Sequence, residues 1–190
     1  DGLAAGMATI TAAFRLVFFL LENTIPAATI TASFLGAVTG FLVRNLPPAR
    51  IFMGDAGSLF LGYSLGASAV LACHGASTGW GRLGAALVLG YPAFDIVFVV
   101  INRLRDGRKV YTGGRDHSNH RLASVMQCPK RTVMLLWVIG AALSASGLVV
   151  LFLDRPLPAL LLSGLWTGLF LWAGKRLSKV PELPSGRAAA

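Results

Sequence analysis

The sequence predicts an all-α fold, a polytopic membrane bundle of about six transmembrane helices. Three observations predict it. The 190 residues are 55% hydrophobic and only 13% charged, with a mean hydropathy of +0.67, a composition of the membrane class. Apolar runs of roughly 20 residues recur, each long enough at about 1.5 Å per residue to cross most of a ~30 Å hydrocarbon layer. Basic residues gather in alternate connections between those runs. An open sheet in lipid would leave backbone groups unpaired, which excludes strands.

In chain order the spans fall at 3–21, 25–43, 56–73, 82–101, 132–153 and 157–174. They form one transmembrane domain over 1–174, and the segment 175–190, ending PELPSGRAAA, reads as a disordered tail. Placing the loops 44–54 and 102–131 and the tail on one side puts fourteen of the seventeen Lys and Arg there. That side is then cytoplasmic, which predicts a multi-pass protein of the cell membrane with its polar candidates facing the cytoplasm. The net charge of +9 is thus a topological signal and calls for no nucleic-acid partner. Cys73 and Cys128 fall on opposite faces, out of reach of a disulfide, and no Cys/His spacing resembles a zinc site. The pairs Gly36/Gly40 and Gly62/Gly66 give small-residue faces that allow close helix packing, and Trp80, Trp137 and Trp172 sit near span ends, where an interfacial belt would place them. The chain begins DGLAAG, without Met or signal peptide, and is read as a fragment of a longer protein.

The stretch from Asn45 to Gly62, NLPPARIFMGDAGSLFLG, places Asp55 between two glycines where a polar loop enters an apolar helix. A first-turn carboxylate stabilises a helix by ~1 kcal/mol through free amides and dipole. The same carboxylate suits Mg²⁺, with Mn²⁺ as a substitute, because hard cations take carboxylate, water and phosphate oxygens. Gly54 and Gly57 leave room for a phosphate at the exposed helix amides. Asn45 reads as a helix C-cap or as a hydrogen-bonding amide beside a nucleobase, and Phe52 as packing or as a ring to stack on one.

The loop 102–131 holds Asp116-His117-Ser118-Asn119-His120-Arg121. His117 and His120 share a face if the segment is helical. With Arg121 they suit a diphosphate or the charge on a transferring phosphoryl group. A solvated loop is the plain alternative, and two His with one Asp make an incomplete zinc site. Asp95 lies about two turns inside a span, where an ionisable group faces the interior with a partner; Arg15 or a backbone donor would serve as that partner, and a catalytic use is the alternative.

The motifs resemble those of the polyprenyl-phosphate N-acetylhexosamine-1-phosphate transferases, relatives of phospho-MurNAc-pentapeptide transferase. DGLAAG is similar to the end of the family's N-x-x-N-x-x-D-G-x-D-G-L-A motif, NLPPARIFMGDAGSLFLG to its central motif, and PAFDIVFVVINRLRDGR with GGRDHSNHRL to the span and loop that follow. The resemblance implies an Mg²⁺-dependent transfer of a sugar-1-phosphate from a UDP-N-acetylhexosamine to polyprenyl phosphate. UMP is released, in the first membrane step of an envelope polysaccharide. It implies Asp55 as metal ligand and catalytic residue, Asp1, Asn45 and Phe52 around the uridine, and His117, His120 and Arg121 on the sugar diphosphate. A homodimer is the partner state left open. Two departures stand out. The family's upstream paired aspartates precede Asp1, so the fragment alone is expected to be inactive, and the loop reads D-H-x-x-H-R-L in place of H-x-H-H. The rivals are a transporter, with Asp95 and Arg15 marking an ion path near the midplane, and a non-catalytic membrane subunit.

Overall fold

In the computed structural model the described residues are 2–75, 79–111, 114 and 116–180, and among them all regular structure is helical. Eight helices follow one another: α1 (Leu3–Leu21), α2 (Ile25–Asn45), α3 (Gly54–Gly75), α4 (Gly79–Leu87), α5 (Gly90–Arg105), α6 (Ser118–Met126), α7 (Pro129–Leu153) and α8 (Pro156–Leu177). Five of them are long and apolar enough to cross a membrane, and six spans result if α4 and α5 count as one. The chain is a polytopic membrane helix bundle.

Local chemistry sets the ends. Pro26, Pro129 and Pro156 open α2, α7 and α8, in the first turn where a missing N–H costs nothing. Asp154 closes α7 in the left-handed conformation, with φ of 42°, and its Oδ1 accepts a 2.6 Å hydrogen bond from the Gly81 amide. One residue thereby ends α7 and holds the start of α4.

The predicted span 82–101 is broken. α4 and α5 meet at 71°. Pro92 supplies the reason, because its ring in a continuous helix would clash with the Val88 carbonyl and its nitrogen could donate nothing. Restarting at Gly90 puts Pro92 in a first turn. At nine and sixteen residues, or about 14 and 24 Å, neither piece crosses the layer alone. The Leu89 amide turns to the Ala86 carbonyl, and the Ala85 carbonyl receives Arg15 Nη2 at 3.2 Å instead. Arg15 is 2% exposed, and its Nε and Nη1 have no partner among the described residues. Arg15, one of the two partners expected for Asp95, is thus engaged elsewhere and serves the carbonyl that the helix break leaves over.

α1 packs on α2, α3 and α7, and α7 also carries α4, α5, α6 and α8. α4 crosses α7 where Gly84 meets Gly147, and a Cβ on either would lie 2.5–2.6 Å from the other's carbonyl oxygen. Gly6 lies under the Trp137 indole, which a Cβ there would meet at 2.2 Å. Trp137 is thus an α1–α7 packing residue, not part of an interfacial belt. Gly36, Gly40, Gly62 and Gly66 have nothing within 4 Å of such a Cβ; the close approaches allowed there occur on α1, α4 and α7. The apolar faces of α2 and α3 are largely exposed, as befits contact with lipid or with further protein. α8 continues past residue 174 to Leu177, since Lys175 and Arg176 suit the negative end of a helix. Residues 181–190 lie outside the described residues.

Gly84→Val should separate α4 from α7 and cost about 1–3 kcal/mol, lowering the melting temperature in detergent. Gly62→Val, with open space around it, should leave that temperature within a degree or two of the parent. Equal melting temperatures for both variants would refute the crossing.

Candidate active site

The candidate residues fall at one end of the bundle, where α1 and α3 begin and α2 and α5 end. Asn45 is the last residue of α2 and is buried. Its Oδ1 accepts the Gly2 amide at 2.9 Å and its Nδ2 donates to the Ile51 carbonyl at 2.9 Å. Both ends of the carboxamide therefore tie together the start of α1, the end of α2 and the loop leading to α3. This is a clamp more than a cap, and it leaves Asn45 beside the expected nucleotide pocket with its amide already engaged. Asp1 lies outside the described residues.

Phe52 is 76% exposed, at the mouth of the same loop. Gly54 follows with φ of 64°, a left-handed conformation that glycine adopts without penalty, and α3 begins. Asp55 stands in its first turn, exposed. Ser58 Oγ donates to the Asp55 carbonyl at 2.9 Å, but no described residue donates to the Asp55 carboxylate. The carboxylate does not close a capping hydrogen bond. A free carboxylate oxygen at the positive end of a helix suits a hard cation that brings its own water and phosphate ligands. Among the described residues no three His, Cys, Asp or Glu side chains converge, so a cation here would depend on Asp55, on solvent and on substrate oxygens.

The histidine loop is built on α5. Arg103, near the end of that helix, forms a two-pronged ion pair with Asp116 through Nε to Oδ2 and through Nη2 to Oδ1 at 2.7 Å. Arg108 adds a contact to Oδ2 at 3.0 Å. Asp116 is 1% exposed. The hydrogen bond from Arg103 holds its carboxyl down to about 2. The stability this contributes is complete above the ordinary carboxyl range near 4 and is lost as pH falls through about 2, so the anchor does not titrate at neutral pH.

Next along the chain, His117 Nδ1 lies 2.8 Å from Asp95 Oδ2, while Asp95 Oδ1 accepts the Ser118 amide at 2.8 Å and the Ser118 hydroxyl. Ser118 Oγ lies 3.3 Å from Tyr91 Oη. Of the two partners expected for Asp95, the backbone donor is the one present, the Ser118 amide, and Asp95 is the post on which the start of α6 is hung. Sequence reasoning missed that this donor belongs to the histidine loop. The one signal available was that Asp95 is the ionisable group of the span that leads directly into the loop. With Nδ1 engaged, the His117 ring is fixed and its Nε2 is the edge left for a ligand. His120 follows at a ring-centroid distance of 6.5 Å, the neighbour relation expected of residues three apart on a helix.

Arg121 is turned elsewhere. Its Nη1 donates to the carbonyls of Leu177, Ser178 and Val180 at 3.4, 3.2 and 3.0 Å, and its guanidinium stacks 5.5 Å from the Phe98 ring. Buried in this way, it fastens α6 to the end of α8. The structure gives it an anchoring use in place of the exposed position expected of a diphosphate ligand. α3 with Asp55 and the histidine loop are joined through α1 and α7.

The comparisons agree with the motifs. Residues 1–73 match the family described as glycosyl transferase family 4. The chain is 32% identical over 150 residues to a probable undecaprenyl-phosphate N-acetylglucosaminyl 1-phosphate transferase of Bacillus subtilis, covering 79% of this chain and 42% of that protein. It is 32% identical over 173 residues to the decaprenyl-phosphate N-acetylglucosaminephosphotransferase of Mycolicibacterium smegmatis, covering 81% and 43%. It is also 32% identical over 149 residues to the phospho-N-acetylmuramoyl-pentapeptide-transferase of Desulforamulus reducens, covering 78% and 43%. The chain thus spans less than half the length of these curated relatives. No solved structure matches it. The chain is a relative of glycosyl transferase family 4, and the three proteins it resembles here are named as sugar-phosphate transferases.

The hydrogen bond to Asp95 raises the His117 pKa above its ordinary value. What that bond contributes to stability is complete below about 6.5 and is lost as pH rises through the higher folded value. Asp95→Asn should therefore move the His117 titration, followed by NMR of labelled imidazole, to lower pH; an unmoved titration would exclude the pairing. Asp116→Asn should free the loop from Arg103, and trypsin should cleave at Arg108 or Lys109 roughly tenfold faster or more.

Proposed function

We propose that the chain is part of an enzyme that transfers an N-acetylhexosamine-1-phosphate, GlcNAc-1-phosphate foremost, from a UDP-sugar to polyprenyl phosphate on the cytoplasmic face of the cell membrane. The reading is supported above all by one observation: an exposed carboxylate without a partner among the described residues, Asp55, opens a helix at the same end of the bundle as His117, braced by Asp95, and its neighbour His120. The names of the relatives support the lipid acceptor and the sugar class.

In this mechanism an oxygen of the polyprenyl phosphate forms a bond to the β-phosphorus of the UDP-sugar. The bond from that phosphorus to the bridging oxygen breaks, and UMP leaves. The chemistry is positioning and charge neutralisation. Asp55 would hold Mg²⁺, which supplies Lewis-acid neutralisation of the diphosphate when bound. His117, braced by Asp95, and His120 donate to the diphosphate oxygens, and charge-assisted donors of this kind outdo neutral ones about twofold. Phe52 stands ready for the uracil face, and the Asn45 clamp holds the loop that carries it.

An ion-transport reading would use Arg15, Asp95 and the broken span. Arg15 instead donates to a helix carbonyl and Asp95 accepts from the histidine loop, so neither residue opens a path, and the transferase reading is preferred.

In the complete protein, Asp55→Asn should lower metal-dependent UMP release roughly 100-fold or more while leaving the melting temperature close to the parent's. His117→Ala should weaken UDP-sugar use about tenfold or more. Near-normal turnover in Asp55→Asn would remove the metal role. Ion flux into vesicles without UMP release from any UDP-sugar would overturn the transferase reading itself.

A further inference from the structure

Away from the candidate active site, α4, α5, α7 and α8 enclose a groove of about 470 Å³, a volume within the range of ligand pockets. Its long wall is apolar and aromatic: Phe94 and Phe98 of α5 face Trp166 and Phe170 of α8, with Phe94 and Phe170 stacked at 4.6 Å. Val97 and Leu171, on its lips, are exposed, so the groove opens sideways, toward where the bilayer lies. Ser163 and Thr167 are the polar groups along it, and its charged lining lies at one end, the end that carries the candidate active site. There Arg105 closes α5 and Lys175 lies in the last turn of α8, with Asn102 and Ser178 beside them. Arg105 and Lys175 are exposed and have no ion pair among the described residues. Among the described residues no acidic one lines the groove.

Two exposed cations without an ion pair among the described residues, above an apolar slot open to lipid, match one kind of molecule, an anionic membrane lipid with its phosphate at the rim and a chain along the aromatic wall. We infer that this groove holds an anionic phospholipid of the bilayer, bound as a structural component. The placement argues against the acceptor lipid of the proposed reaction. Asp55, His117 and His120 line no part of the groove. Asp95 projects from α5 to the histidine loop, whereas the lining residues Phe94, Phe98, Ile101 and Arg105 follow one another at spacings of four, three and four along another face of the same helix. A phosphate held at Arg105 and Lys175 would therefore be kept apart from the reacting groups. The lipid would instead complete the packing of α8, whose apolar face is otherwise thinly covered.

The test is native mass spectrometry of the protein purified from membranes and offered phosphatidylglycerol, phosphatidylcholine of the same chains, or polyprenyl phosphate. The parent should keep phosphatidylglycerol about tenfold or more over phosphatidylcholine, since each cation near an anionic headgroup contributes on the order of a fivefold preference. Arg105→Gln with Lys175→Gln should bring the two lipids to parity. Arg176→Gln, whose parent guanidinium stacks on Trp172 and lies outside the groove, should leave the preference in place. Val97→Trp, which fills the slot, should reduce retention of both phospholipids with helicity by circular dichroism unchanged. The inference is overturned if the parent retains no phospholipid, if it shows no preference, or if the preference survives the double substitution. It is overturned equally if polyprenyl phosphate alone is retained and the double substitution releases it.

Discussion

A single carboxylate inside a membrane span organises the basic end of this molecule. Asp95 would be costly in a lipid-facing helix, and it is tolerated because three donors meet it: the His117 ring, the Ser118 amide and the Ser118 hydroxyl. In return, the first turn of α6 is fixed to α5, a helix that is itself set by the break at Pro92. The second attachment, Arg103 to Asp116, lies two residues nearer the start of the loop. Together the two bonds turn a basic segment that could have been solvated chain into a platform with a defined face.

The break and the platform are linked. Had 82–101 run straight, Ala85 would have kept its helical hydrogen bond and Arg15 would have had no carbonyl to serve. Arg15, one of the two partners that sequence logic offers Asp95, is used where the backbone is interrupted, and Asp95 takes the other, a backbone donor, from the loop. Neither choice follows from residue type alone. Each follows from where a proline ring and a carbonyl oxygen cannot both be.

How much of this was legible in the sequence depends on range. The long apolar runs and the side on which Arg and Lys gather gave the spans, because bilayer thickness and hydrogen-bond satisfaction act locally. The first-turn position of Asp55 and the shared face of His117 and His120 were readable as helical spacing. The helix over 118–126 was not, because a nine-residue amphipathic segment has no membrane-length signal. Pro92 was visible, yet whether a proline kinks a helix or splits it depends on what takes up the freed carbonyl. The glycine pairs show the same limit: spacing can show that two helices are able to approach, and Gly84 with Gly147 shows that partner choice decides which do. The role of Arg121 was hidden because its acceptors lie more than fifty residues away in the chain.

That last contact alters how the end of the chain should be regarded. The carbonyls that Arg121 gathers belong to the last turn of α8 and the residues just past it, so the closing helix is wired into the loop that carries the histidines. An affinity tag set directly after Trp172, or a protease nick there, would strip a buried guanidinium of its acceptors and be felt at His117 and His120. Anyone engineering this protein would do better to attach labels beyond Val180 than to treat the final helix as a handle.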